Sequence, residues 1–274
     1  MILLSGTKIR EERQHDFTTW ANNRHLVFVI LQIGDDDASD VYIRSLRKYG
    51  ERTGVEVKLI RLSKEISQAE AIEQLQALNN APEVTGIMLA SPMPAHIDET
   101  EMVKYLNPSK DIEGVHPYNL GILMSGNTGV KPATPKSAVS ILKSYGITLV
   151  GKKVVVIGRS IVVGLPLANM LIKESATVTI CHSQTRNLTA ITKTAEILIS
   201  AVGKPGFITP DMVNPEAVVI DIGTNVLPNG TLVGDVDPAV IEQGLISAIT
   251  PVPGGVGALT VVEMFDNLRF LTKD

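Results

Sequence analysis

The sequence predicts an α/β protein of two domains, each built on a parallel sheet, and three observations lead there. Between residues 26 and 90, apolar runs of strand length alternate with helix-length amphipathic stretches three times over, the pattern of right-handed βαβ crossovers. A second alternation of the same kind starts at Val154. Between them, residues 107–117 (NPSKDIEGVHP) carry two prolines, a glycine and several charges, and read as a hinge. With 274 residues, 44% of them hydrophobic, the chain is long enough for two domains with cores of ordinary size.

The second alternation is organised around KKVVVIGRSIVVGLPLANML, residues 152–171. Val154 to Ile157 run into Gly158 without polar alternation, as a strand covered on both faces does before a phosphate-facing helix start. Gly158, Ser160 and Gly164 form a loosened glycine pattern, with serine at the second place and one residue inserted before the last; alone it fits an ordinary tight turn equally well. The next strand, TVTIC (177–181), ends in His182, Ser183 and Gln184, where an NAD-binding unit holds an acid about 20 residues after its first glycine. Arg159, Ser160 and Ser183 offer instead a cation and hydroxyls suited to a 2′-phosphate, which favours NADP over NAD.

Composition narrows the partners. A net charge of −4 without a basic cluster argues against nucleic acid. The lone Cys181 excludes an internal disulfide and a structural zinc site of the usual kind, and His116 and His182 read as structural or surface residues rather than metal ligands. No charged-then-apolar leader follows Met1, and the longest early apolar run, Leu26 to Leu31, is too short to span a bilayer, so a cytoplasmic protein is expected.

Taken in order, residues 1–24 read as a polar helical stretch with Trp20 as a packing residue, and HLVFVILQIG as a strand closed by Gly34. Ser39 or Asp40 is expected to cap the helix VYIRSLRKYGERTG, ended by Gly54, with strand VEVKLIRL after it. SQAE (67–70) has capping-box form and opens a helix through Leu78, before strand TGIMLA at 85–90. SPMPAHID (91–98) is a proline-punctuated loop at that strand's carboxyl end, where open parallel sheets bind ligands, and a short helix leads from it to the hinge. Beyond the hinge, KPATPKSAVSILKSYG is a helix with Thr134 as N-cap and Pro135 at its first position. The second sheet continues through TVTIC, EILISAVG and AVVIDIG, Asn229-Gly230 signals a two-residue hairpin, and a last helix, Val261 to Leu271, is expected to return to the first domain.

Together these segments resemble the methylenetetrahydrofolate dehydrogenase/cyclohydrolase (FolD-type) family over nearly the whole chain from about residue 26. The carriers are GDDDASDVYIRS (34–45), KDIEGVHPYN (110–119), PATPKS (132–137), VVVIGRSIVVGLP (154–166), CHSQT (181–185), AVGKP (201–205), VIDIGTN (219–225), GDV (234–236) and TPVPGGVG (250–257). The resemblance implies an N-terminal three-layer α/β domain, placed at 1–117 plus 258–274, and a C-terminal NADP-binding Rossmann domain, 118–257, with tetrahydrofolate one-carbon derivatives bound in the cleft and two chains pairing as a homodimer. It carries Tyr42 and Glu113 over as catalytic residues. Tyr42, Leu89, Ala90, Ser91, Glu113, Pro253, Gly254, Gly255, Val256 and Gly257 are carried over as substrate contacts. Thr134, Gly158, Arg159, Ser160, Ser183, Thr224 and Thr260 are carried over as cofactor contacts.

The departures from the family pattern cluster on the chemistry. The lysine that the family places four residues after the tyrosine is Leu46 here, the glutamine of its VQLPLP loop is Ala90, and the second aspartate of KDxDG is Glu113. PCTPKG has become PATPKS, and Ile161 stands where asparagine is usual. Arg47 and Lys48 point about 100° and 200° away from position 46 on a helix, so neither shares its face. Lys110 and Lys136 remain as replacement amines. Three readings follow: a dehydrogenase whose cyclohydrolase activity is lost or weakened, a fully bifunctional enzyme with a substitute group, and a catalytically silent nucleotide- or folate-binding paralogue.

Overall fold

Two short segments open the chain: strand β1 (Ile2–Leu3), which sequence analysis did not separate from the polar stretch around it, and helix α1 (Gly6–Ala21). The computed structural model describes residues 1–272, without the side chains of Asp37 and Ala38. The chain forms two compact units, one comprising Arg13–Lys131 with the chain from Met264 on, the other Met1–Glu12 with Pro132–Glu263. The sequence reading put the junctions at 117/118 and 257/258. The first residues join the second of these units because β1 pairs with a late strand of its sheet.

In the first unit β2 (Val27–Ile33) is buried at every residue, as its unbroken apolar run requires. Helix α2 (Asp37–Thr53) starts one turn earlier than Ser39 or Asp40 would place it. Asp36, in an extended conformation (φ −146°), accepts the Ser39 N–H at 2.7 Å, so the first acid able to reach that donor becomes the cap. Gly54 closes α2 in the left-handed region, and β3 (Glu56–Leu62) follows. Helix α3 (Gln68–Asn80) has both halves of the Ser67/Glu70 capping box. β4 (Gly86–Leu89), α4 (Glu99–Tyr105) and α5 (Pro117–Met124) complete this part. The sheet order is β3-β2-β4, parallel throughout. Val29, Leu31, Ala71, Leu75, Leu89 and Met102 are among its core.

The segment read as a hinge is tightly bonded. Asp111, fully buried, accepts the Gly114 and His116 N–H groups and the Asn119 amide at 3.0, 2.8 and 2.8 Å. His116 in turn caps α5, with Nδ1 accepting the Tyr118 N–H.

The second unit begins with α6 (Ala133–Ser144). Its N-cap is Pro132 rather than Thr134, so Ala133, Thr134 and Pro135 all lie in the first turn. There the N–H that proline lacks would have had no helical partner, which is why Pro135 is tolerated past the first position. Then come β5 (Lys153–Ile157), α7 (Gly164–Lys173), β6 (Thr177–Cys181), α8 (Leu188–Thr192), β7 (Ile197–Ser200) and β8 (Val218–Asp221). β9 (Asn225–Val226) and β10 (Leu232–Val233) form the expected hairpin, but its loop has three residues. The Gly230 N–H bonds to Leu227 O and the Leu227 N–H to Thr231 O, so Pro228 and Asn229 form the turn and Gly230, at φ 81°, the bulge. A two-residue loop would have put Pro228, which has no N–H, at the closing pair. Helix α9 (Pro238–Glu242) and β11 (Ala248–Ile249) complete a six-stranded sheet, ordered β1-β11-β8-β7-β5-β6, with every pairing parallel.

The expected single last helix is two, α10 (Gly257–Asp266) and α11 (Leu268–Leu271). Between them Asn267, fully buried, donates through Nδ2 to the Ile112 and Lys131 carbonyls, both at 2.8 Å. The expected return to the first unit is observed. Phe265, at 0% exposure, meets the rings of Phe17, Phe28 and Tyr49 edge-on, with centroids 6.1, 5.4 and 4.7 Å away.

Replacing Phe265 by Ala removes the ring shared by all three contacts. The expected cost is about 3–5 kcal/mol, read as a lowered urea midpoint for the unfolding transition of that unit with little change in the other.

Candidate functional site

In the first unit, residues from the start of α2 and the end of β4 enclose a pocket of about 240 Å³, lined by Asp36, Ser39, Tyr42, Ile43, Met88, Ala90, Ser91 and Pro92. Ser39, Tyr42 and Ile43 share a face because they stand three and four residues apart on a helix. The Ser39 hydroxyl donates to the Ser91 carbonyl at 2.8 Å, tying the first turn of α2 to the loop after β4. That loop is braced from behind, where Glu99 accepts the Ser91 hydroxyl at 3.0 Å and the Met93 N–H at 2.7 Å. The structure therefore brings together Tyr42, Ala90 and Ser91 of the residues expected there, with Leu89 buried beside them. It adds Asp36 and Ser39, which sequence analysis treated only as capping residues or not at all. The signal available was the hydroxyl and carboxylate of GDDDAS opening the helix that carries Tyr42.

Glu113 is half-buried next to the carboxyl end of β4, where Asp111 bridges to Ile87. Burial and the neighbouring Asp111 charge push its carboxyl up to about 8, with the Leu89 backbone acting the other way. Near neutral pH this group carries a proton and can both donate and accept.

Leu46, one turn beyond Tyr42 on the same stripe of α2, has 0% exposure. The two candidate replacement amines are engaged elsewhere. Lys110 Nζ donates to the Leu78 and Ala81 carbonyls at the end of α3, at 3.0 and 2.5 Å, and burial pushes its pKa down. Lys136 Nζ, in the second unit, lies 3.0 Å from the Glu263 carboxylate, whose other oxygen accepts the Ser140 hydroxyl at 2.6 Å.

In the second unit Gly158, Arg159, Ser160, Ser183 and Thr224 follow strand ends along the carboxyl edge of the sheet. From β5 the chain crosses to β6 on one side and then to β7 on the other, so the crevice outside these strand ends is where a ligand fits. Gly158 (φ 129°) opens the turn there. A Cβ on it would sit 2.7 Å from the Ala201 carbonyl, and one on Gly164 would overlap the Gly158 carbonyl. Only bare backbone allows this close packing, and it leaves a cradle suited to a pyrophosphate at the start of α7. Ser160 Oγ accepts the Val163 N–H at 3.2 Å, and Arg159 is exposed. Ser183, also exposed, stands on a tight turn closed by His182 N–H to Thr185 Oγ1 at 2.8 Å. Ile157 pairs with Cys181, so these two turns are neighbours at the sheet's carboxyl edge.

Thr224 follows β8 and is exposed. Pro253, Gly254, Gly255, Val256 and Gly257 form the loop between β11 and α10, where the Gly254 carbonyl accepts the Gly6 N–H at 2.9 Å. Thr134 and Thr260 lie off the strand ends, in the first turns of α6 and α10. Among the described residues no cluster of histidines, cysteines and acids could hold a metal ion, and no helix is long and apolar enough to cross a membrane.

A parallel sheet whose crossovers diverge at a glycine turn, joined to a second α/β unit with its own pocket, defines a two-domain nucleotide-binding enzyme. Residues 132–273 match the tetrahydrofolate dehydrogenase/cyclohydrolase NAD(P)-binding domain and residues 4–113 the catalytic domain of the same family. The chain belongs to the tetrahydrofolate dehydrogenase/cyclohydrolase family, with the N-terminal catalytic and C-terminal Rossmann domains the sequence implied. It is 44% identical over 273 residues to the bifunctional protein FolD 2 of Syntrophomonas wolfei, covering 99% of each chain. The crystal structure of the bifunctional FolD enzyme of Campylobacter jejuni superimposes with a TM-score of 0.94 at 35% identity, covering 98% of this chain and 97% of that one. The Trypanosoma brucei FolD structure, complexed with NADP cofactor and an inhibitor, gives 0.91 at 30% identity, covering 98% and 96%.

The Glu113 environment has a testable sign. Unfolded, the carboxyl titrates near 4.5; folded, it keeps its proton to about 8, so the folded state binds more protons across that interval and loses stability as pH rises through it. The difference in urea midpoint between wild type and Glu113→Gln is expected to shift against the wild type as pH rises from about 5 to about 8. A difference independent of pH would mean that Glu113 titrates as an ordinary exposed carboxylate.

Proposed function

We propose that the chain is an NADP-dependent methylenetetrahydrofolate dehydrogenase, forming 5,10-methenyl-tetrahydrofolate, in which cyclohydrolase activity is lost or weak. The observation that carries this reading is the wholly buried Leu46 on the Tyr42 stripe, with Lys110 and Lys136 both committed to other partners. Bound NADP supplies the hydride acceptor. Tyr42 offers its ring face to the pterin, within a pocket whose Ala90 and Met88 add apolar contact. Glu113 faces the pterin's amino and ring nitrogens. Arg159, Ser160 and Ser183 hold the 2′-phosphate, and the backbone from Gly158 to Gly164 holds the pyrophosphate.

Hydride loss from the carbon bridging two folate nitrogens is driven by a nitrogen lone pair and needs no proton transfer, so positioning suffices. Hydrolysis of the methenyl cation needs a group to handle the protons of water and of the collapsing adduct, and a leucine cannot do this. The names of the relatives favour a second, fully bifunctional reading, in which a hydroxyl of the pocket, on Tyr42 or Ser91, takes that role. The protein is further read as a cytoplasmic homodimer.

With 5,10-methylene-tetrahydrofolate and NADP, NADPH is expected to form while the methenyl product accumulates, and methenyl-tetrahydrofolate alone is expected to decay at the buffer rate. Hydrolysis well above buffer would establish the bifunctional reading, and absence of both reactions despite NADP binding would indicate a silent paralogue. Arg159→Ala is expected to raise the KM for NADP by about tenfold or more, leaving NAD turnover and kcat unchanged, in steady-state assays with each nucleotide.

A further inference from the structure

Asp235, in the GDV segment after β10, has 0% exposure, and its carboxylate faces polar donors drawn from three parts of the second unit. Oδ2 accepts the Ser200 hydroxyl at 2.9 Å and the Val202 and Gly203 N–H groups at 2.9 and 3.3 Å. Oδ1 accepts the Lys204 N–H at 2.9 Å and the Asn225 amide at 3.1 Å. Five donors converge on this one carboxylate, and without it three backbone N–H groups of one loop would be left unpaired. The carboxylate is itself fixed. The Asp235 and Val236 N–H groups both donate to Asp221, each at 2.9 Å, and a Cβ on Gly223 would overlap the Asp235 side chain.

The loop held in this way, Ala201 to Lys204, leaves the end of β7. Ala201 is the residue whose carbonyl lies against Gly158, so the loop forms the wall of the switch-point crevice opposite the glycine turn. On the dehydrogenase reading, Arg159 and Ser183 would hold one end of the dinucleotide on the β5 and β6 side, and the loop on the β7 side would face the reacting end. The Val202, Gly203 and Lys204 N–H groups of the loop are spent on a carboxylate more than thirty residues downstream.

We propose that Asp235 is a positioning residue for hydride transfer, fixing the 201–204 loop and Asn225 so that the nicotinamide end of the cofactor meets its substrate in register. This rests on the reading of the chain as an NADP-dependent dehydrogenase. Asp235→Asn keeps the shape but turns an amide N–H toward donors whichever way the group is flipped.

The test is steady-state and direct-binding measurement on the full chain. Asp235→Asn is expected to lower kcat about 100-fold per folded molecule while the NADP Kd changes by less than about tenfold, the reverse of the Arg159→Ala pattern. Val240→Ala, a buried core change in α9 of the same unit, controls for stability and is expected to lower the melting midpoint with kcat unchanged. Should Asp235→Asn not fold, the double variant Ser200→Ala, Asn225→Ala removes two of the donors and is expected to lower kcat by about fivefold or more with NADP binding retained. A folded Asp235→Asn with wild-type kcat, or a double variant with wild-type kcat where Asp235→Asn cannot be obtained, overturns the positioning role while leaving the dehydrogenase reading intact. A wild-type protein that binds NADP but transfers no hydride removes the dehydrogenase reading and the positioning role with it.

Discussion

Backbone amides and carbonyls buried between two layers of helix have only neighbouring strands to bond, and this obligation sets the second unit's plan. Val154 to Ile157 are wholly buried, so β5 must pair on both sides, and it does, with β6 and β7. Because the partners come later in the chain and are both parallel to β5, the crossovers must leave in opposite directions. Their loops therefore part over the end of β5, where the glycine turn stands. The turns after β6, β7, β8 and β11 fall along the same edge as a consequence, although in sequence they are separated by long helical detours.

On the proposed function, one side chain of the first unit separates two consecutive reactions. A leucine with no exposed surface contributes on the order of 2 kcal/mol of burial and makes no demand for polar neighbours. An amine at that position would need acceptors close by, and Ala90 provides none from its side chain. The two residues are consistent with one another: Leu46 is buried one helical turn from Tyr42, and Ala90 lines the Tyr42 pocket with a methyl group. Hydride departure tolerates such a surrounding because the driving electrons belong to the substrate.

Much of this was legible in the sequence, and the parts that were not share a cause. The central strands stood out because an unbroken apolar run such as VFVILQI has no other stable environment in a chain of this kind. The Ser67/Glu70 box and the Gly54 stop are local devices, readable within four residues. β1 has two residues and owes its existence to β11, 246 positions away by its register. The cap of α2 went to Asp36 because of backbone conformation, which three successive aspartates do not reveal. Asp235 read only as a family motif, since its significance lies in donors that fold next to it from elsewhere. Tyr42, Ala90 and Ser91 line one pocket together with Asp36 and Ser39, and the Ser39 hydroxyl is tied to the Ser91 carbonyl by a contact between distant segments.

The route of the chain also governs how such a protein folds. The six-stranded sheet needs residues 2–3 at one edge and 248–249 beside them, and the aromatic cluster of the other unit waits for Phe265 to reach Phe17, Phe28 and Tyr49. Neither core is complete until these sequence-distant segments have met. Both units therefore close long loops between sequence-distant partners, a topology that slows folding relative to one built from local contacts.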